Sequence, residues 1–309
     1  MHGLAMILSL PLYRIPPPWS SSPLSYSYDL RLHRQLASPR QLPLLWFASP
    51  PRLRRRSLCT STLASGPATG ALLQDAGATA AVLAGAYSLV RAFDALTENN
   101  LIEQQNLSRK LVHILSGLIF ISSWPIFSNS AEARYFASLV PLLNCLRLVI
   151  NGFSLTTDAG LVKSVTRKGN PEELLRGPLH YVLILILCSV IFWRDSPTGI
   201  ISVAMMCGGD GIADIIGRRF GAQKLPYNQH KSWAGSCSMF LFGFLVSIGM
   251  LYYFSSLGYF QLDLTETVQR VALVSLVATV VESLPTEVMD DNISVPLVSM
   301  LTALLTFNY

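Results

Sequence analysis

The chain has 309 residues, 51% hydrophobic and 13% charged, against roughly 25% charged in soluble domains, and that balance describes a multi-pass membrane protein. Its net charge of +5 resides in a leader and in short loops, without the basic and aromatic platform of a nucleic-acid binder, so nucleic acid is excluded as a partner. Five scattered cysteines, Cys59, Cys145, Cys188, Cys207 and Cys237, several inside apolar stretches, suggest neither a disulfide framework nor a zinc ligand set.

Residues 1–65 carry eight arginines, no lysine and a single acid, Asp29, among many Ser, Pro and Leu. This is the composition of a disordered organelle transit peptide, and its Ser and Pro richness points to the plastid. Pro11, Pro16, Pro17 and Pro18 interrupt the one apolar run that a secretory signal would need. Residues 66–309 are then the integral membrane domain.

Eight apolar segments follow, centred near 76–96, 111–128, 134–152, 178–193, 197–217, 234–256, 270–284 and 292–308, each close to the roughly 20 residues that cross a bilayer. Backbone in lipid has no water to bond with, and no alternating barrel pattern is present, so the expected fold is all-α with about eight spans. Alternating these spans puts loops 97–110, 153–177, 218–233 and 285–291, with ten Lys or Arg residues, on one face. Only Arg134, Arg194 and Arg270 flank the other, so the positive-inside bias assigns the basic face to the stroma.

Polar residues inside this apolar frame are costly and are functional candidates by default. The second span opens RKLVHILSG, where Arg109, His113 and Gly117 share a helical stripe beside Lys110; a hydrogen-bonded core histidine is the plainer reading of His113. Asn144, Arg147 and Asn151 end the third span on one face, and Lys163, Arg167, Lys168 and Arg176 follow as topology determinants facing anionic lipid. The densest stretch is CGGDGIADIIGRRFGAQKLPYNQHKSWAGS, residues 207–236. Asp210 and Asp214 stand four apart and share a helix face, and Gly208, Gly209 and Gly211 permit close approach of a ligand or a neighbouring backbone. An Asp214–Arg218 ion pair at helical spacing is the structural alternative. The cations and small donors that follow, Lys224, His230, Lys231, Ser232 and Gly235, suit phosphate oxygens. Further on, VESLPTEVMDDN places Glu282, Glu287, Asp290, Asp291 and Asn292 around a helix break at Pro285, on the same face as the glycine-rich stretch. Carboxylates on short connections suit Mg²⁺, which takes one or two of them plus phosphate oxygens, so the two acidic stretches are expected to share a metal site with ligands among Asp210, Glu282, Asp290 and Asp291.

Three strings, GGDGIADIIGRRFG, KLPYNQHKSWAGS and VESLPTEVMDDN, resemble the polyprenol kinase family and, within it, the phytol kinases of plastids, over nearly everything from residue 100 onward. Arg109, Lys110 and His113 resemble that family's RK..H element, and the middle motif is also similar to the signature of CDP-diacylglycerol synthases. The resemblance implies phosphorylation of a long-chain isoprenoid alcohol, phytol first, with CTP as donor and Mg²⁺ as cofactor, feeding tocopherol synthesis. In such a mechanism Asp210, with Asp214 or Asp291, holds Mg²⁺, while Lys231 and Arg218 neutralise developing charge and a carboxylate or His113 takes the alcohol proton. Arg109, Lys110, Lys224, His230, Ser232 and Gly235 complete the expected nucleotide contacts. Farnesol or geranylgeraniol phosphorylation, cytidylyl transfer to a lipid phosphate, and transport remain as alternatives. Deleting residues 1–65 is expected to leave catalysis in membranes intact and to abolish plastid import, read by an import assay on isolated plastids.

Overall fold

The computed structural model describes residues 67–98, 105–156, 158–166, 169–285 and 290–307. The expected leader and the residues Arg167, Lys168 and Glu287 lie outside them. Among the described residues ten α-helices follow one another: α1 Pro67–Glu98, α2 Gln105–Ser122, α3 Ala133–Gly152, α4 Ala159–Val165, α5 Gly177–Leu187, α6 Pro197–Ala204, α7 Gly211–Phe220, α8 Trp233–Ser256, α9 Leu264–Ser283 and α10 Asp291–Phe307.

Each expected apolar segment lies on a helix, and among the described residues six helical spans are long and apolar enough to cross a membrane. These are Thr69–Phe93, Ala133–Gly152, Pro171–Phe192, Pro197–Phe220, Trp233–Ser256 and Leu264–Ser283. The apolar helix α10 has 17 residues and is shorter. Helix α2 begins six residues before the expected segment and carries Arg109 and Lys110 into the helix itself. Within the all-α fold lies one small antiparallel hairpin among the described residues, β1 Lys224–Leu225 and β2 Asn228–Ser232, with Lys224 opposite Ser232 and Leu225 opposite Asn228. Pro226 lacks a backbone N–H and cannot continue a helix, and the turn it opens lets the segment pair with itself.

Span Pro197–Phe220 is the central post, with 78% of its most apolar stretch buried. Between α6 and α7 it passes through a π-helical stretch, Met205–Asp210, whose wider turn inserts residues into the helical register just before the first acid. Glycines set its neighbours. A Cβ on Gly208 would lie 2.8 Å from Val246 and one on Gly209 2.9 Å from Met239, both on α8, while a Cβ on Gly211 would collide with Ile114 of α2. The close approach expected of these glycines is therefore made by neighbouring helices.

An aromatic and polar plug lies toward the opposite ends of α1, α2 and α5. The 3₁₀ turn Trp124–Ile126 places the fully buried Trp124 5.1 Å from Trp193 and 6.2 Å from Phe254, between ring centroids. Arg194 is buried and donates to the carbonyls of Trp124 (3.1 Å), Phe127 (2.9 Å) and Ser128 (2.6 Å) and to Asn129 Oδ1 (2.8 Å). Asp75 of α1, buried as well, accepts from Ser128 N (2.6 Å) and Ser128 Oγ (2.8 Å), so α1 is tied to the same turn. Truncating Arg194 would strand several buried carbonyls. Arg194→Leu is therefore expected to cost about 3 kcal/mol of stability, read as a lowered unfolding midpoint in detergent.

Candidate functional site

Two charged groups converge where the central post meets the hairpin. Asp210 is buried at the end of the π-helical stretch, and the buried Lys110 Nζ lies 3.2 Å from its Oδ2 and 3.8 Å from Asp214 Oδ2. Their separation of 100 residues is bridged by the packing of α2 on α7, which Gly211 makes close. On the other side, Lys231 Nζ donates to Asp291 Oδ2 at 2.8 Å and to Glu282 Oε1. One carboxylate oxygen from each of Asp210, Glu282 and Asp291 lies within 4.8 Å of the others.

The hairpin explains why Lys231 arrives there. Asn228 is buried and donates Nδ2 to Ser283 O at 3.0 Å, while its Oδ1 accepts the backbone N–H of His230 at 3.0 Å. Tyr227 Oη donates to Ser283 Oγ at 2.9 Å. Since Ser283 follows Glu282 on α9, stapling the turn to the helix end sets Lys231 against Glu282. Burial disfavours the Lys231 ammonium, but the carboxylates of Glu282 and Asp291 outweigh it and hold its pKa above the ordinary lysine range.

The three clustered acids and two lysines fit a divalent cation bound together with an anion. They carry a formal charge of one negative, and Glu282 Oε2 is buried without a hydrogen-bond partner among the described residues. Such a lone pair is costly to leave unmade, and a hard oxygen-seeking cation would satisfy it.

Other expected residues occupy different places. Asp290 stands outside the three-acid group: its Oδ1 accepts from Asn292 N at 2.9 Å and its carbonyl from the N–H groups of Ile293 and Ser294, so it starts α10. Asp214 Oδ1 accepts from Arg218 Nε at 3.0 Å, the helical ion pair of the alternative reading, with Arg218 exposed. Ser232 caps α8 by accepting from Gly235 N at 3.1 Å. A Cβ on Gly235 would sit 3.5 Å from the Cα of Gly217, so Gly235 lets α7 and α8 touch. Lys224 and His230 are exposed on the hairpin. These four were read as nucleotide contacts because small donors and cations suit phosphates; the first two serve a helix start and a helix crossing.

Beside the acids lies a cavity of about 630 Å³ among α1, α2, α3, α4 and α5, within the roughly 300–1,000 Å³ of small-molecule sites. Its polar end holds Arg109, Lys110, His113, Arg147, Asp290 and Asn292, with Asn144, Glu173 and Arg176 also in the lining, and most of the remainder is apolar, Val82, Phe120, Val140 and Leu185 among it. Lys110 thus touches both the cavity and the acidic group. His113 Nε2 is 3.4 Å from Met206 O, and its ring lies 4.2 Å from that of Tyr181, whose Oη donates to His113 O at 2.9 Å. Arg147 is paired with Asp158, which caps α4. Tyr181, Asn228 and Ser283 escape a reading by charge and motif; the proline-containing turn between KL and HKS is the one sequence signal that could have revealed the hairpin.

The chain is 64% identical over 261 residues to a probable phytol kinase 1, chloroplastic, of Glycine max, covering 84% of this chain and 86% of that protein. It is 62% identical over 276 residues to phytol kinase 1, chloroplastic, of Arabidopsis thaliana, covering 89% of each. A probable phytol kinase 1, chloroplastic, of Oryza sativa subsp. japonica is 62% identical over 243 residues, 78% of this chain and 77% of that protein. No family model and no solved structure matches the chain.

Because the raised pKa of Lys231 reflects its carboxylate partners, its stabilising effect is complete below the ordinary lysine pKa of about 10.4 and is lost only as pH rises through the higher folded value. Lys231→Met also removes the cation that keeps Glu282 and Asp291 ionised, and protonation relieves that loss at lower pH, so the variant should lower the unfolding midpoint by more at about pH 9 than at about pH 6, read by thermal unfolding in detergent at both.

Proposed function

Since the chain belongs to the chloroplast phytol kinase family, we propose that it phosphorylates phytol at the membrane, with the isoprenoid tail in the α1–α5 cavity and a nucleoside triphosphate, CTP, at the acidic group. The observation that carries this reading is the position of Lys110, which lines the polar end of an apolar cavity and pairs with Asp210 of the three-carboxylate group. A long-chain alcohol needs apolar surface for its tail and water-facing polar groups for its hydroxyl, and the cavity supplies both in that order. The product enters tocopherol synthesis.

In-line transfer forms a bond between the alcohol oxygen and the terminal phosphorus, breaks the bond to the leaving nucleoside diphosphate, and sheds the hydroxyl proton. Mg²⁺ held by Asp210, Glu282 and Asp291 would neutralise donor phosphate charge when bound. Lys231 places a permanent cation between two of those acids, where charge accumulates in transfer. Lys110 holds Asp210 in orientation. His113, lining the cavity beside Lys110, is the group placed to accept the hydroxyl proton, and its Nε2–H toward Met206 O leaves Nδ1 as the accepting nitrogen. Arg218, committed to Asp214 and exposed, takes a secondary part in charge neutralisation at most.

A labelled-phosphate assay in membranes, crossing CTP, UTP, ATP and GTP with phytol, farnesol and geranylgeraniol, tests the reading. Phytyl phosphate from CTP is expected; a chain that phosphorylates none of the alcohols with any donor refutes it. Asp210→Asn leaves the buried Lys110 without its partner and should lower abundance, but it should also lower kcat per folded molecule by about 100-fold or more, whereas Asp214→Asn, which removes a helical pair, should retain most activity per folded molecule. Equal losses in the two variants would remove Asp210 from the metal set.

A further inference from the structure

The cavity has a direction. His113 of α2 meets Tyr181 of α5 near the polar end, and further along Arg134 at the start of α3 donates to Val190 O at 3.5 Å, just past α5. Thr79 of α1 donates to Phe136 O at 3.0 Å at that same far level. Helices α2 and α5 therefore run away from the acids, and α3 runs back toward them. Along α2 the lining extends from Arg109 to Phe120, about 16 Å at 1.5 Å per residue.

At that depth the lining changes character. Phe120 is buried, faces the cavity, and packs edge-on against Trp124 with ring centroids 6.0 Å apart. Behind it stands the plug: Trp124 against Trp193 and Phe254, with Arg194 bonded to the Trp124 carbonyl and its guanidinium 4.8 Å from the Tyr259 ring. A side chain backed by rings that are themselves pinned by a buried cation cannot swing aside for a longer ligand, because interiors are close-packed and transmit strain. From this geometry we infer that Phe120, braced by Trp124, is the floor of the tail cavity and sets the upper limit of isoprenoid length. Val140 and Leu185 form the walls at the same level, and Ala86 on α1 lines the cavity with a small side chain.

This inference rests on the isoprenoid tail occupying the cavity, and the test separates the two. Full-length chain in membranes is assayed for kcat/KM with farnesol, phytol, geranylgeraniol and geranylfarnesol, the last one isoprene unit longer than geranylgeraniol. Phe120→Ala opens the floor and is expected to raise the geranylfarnesol-to-phytol ratio about tenfold or more, the discrimination that hydrophobic pockets obtain from small changes in fit. Ala86→Phe narrows the cavity without touching the plug and is expected to shift the ratio by a similar factor toward farnesol. A ratio is insensitive to the amount of folded protein, so a purely structural role for Phe120 would lower all four rates together. If Phe120→Ala is active with an unchanged ratio, the floor is elsewhere. Should Phe120→Ala fail to accumulate, an unchanged farnesol ratio in Ala86→Phe overturns the length limit equally. A wild-type chain that phosphorylates none of the alcohols overturns the tail assignment and the floor with it.

Discussion

The ammonium of Lys231 lies between Glu282 and Asp291, with Asp210 and Lys110 completing a group of five charges at one end of an apolar bundle. Burying any one of these alone would cost several kcal/mol, and only mutual pairing makes the group tolerable. Much of the surrounding architecture serves that pairing. The hairpin exists because a lysine must reach from α7's end to α9's end, and Asn228 and Tyr227 fasten it to Ser283 so that the reach is short. The glycines of the central post bring α2 close enough for Lys110 to meet Asp210. A break before α10 frees Asp291 to approach from the third side.

The two ends of the molecule solve different problems. At the acidic end, the clustered charges pair with one another, and Glu282 Oε2 is buried without a hydrogen-bond partner among the described residues. At the plug end, the Arg194 guanidinium saturates carbonyls of a single turn and sits over aromatic faces, so the cation is spent on structure. Between them the cavity is apolar along most of its length. The separation between a polar end and an apolar end suits an alcohol with a long tail, and membership of the phytol kinase family accords with that division.

Residue types and local spacing were sufficient to read the helical class, the apolar segments and the Asp214–Arg218 pair, and to single out Asp210, Lys231, Glu282 and Asp291 as charges that need partners. Burial of charge in an apolar helix is legible without coordinates, because a carboxylate or ammonium inside twenty apolar residues needs a partner wherever the chain goes. Spacing within one helix is equally local, so the i, i+4 pair followed directly. What depended on the tertiary structure was which partner each charge found. Lys110 meets Asp210 across 100 residues, and Asp290 and Asp291, adjacent in sequence, separate into a helix start and a site acid because successive residues at a helix terminus point in different directions. Ser232 and Gly235 looked like phosphate contacts and became a cap and a crossing, since the same small polar residues serve either purpose until a neighbouring helix arrives. Arg194, which as sequence was only a charge flanking a loop, proved to be the brace of the plug, and the cavity floor at Phe120 could be seen only once five helices were packed around one space. Local chemistry limits what a residue can do, while long-range packing, which no window of sequence contains, selects among those uses.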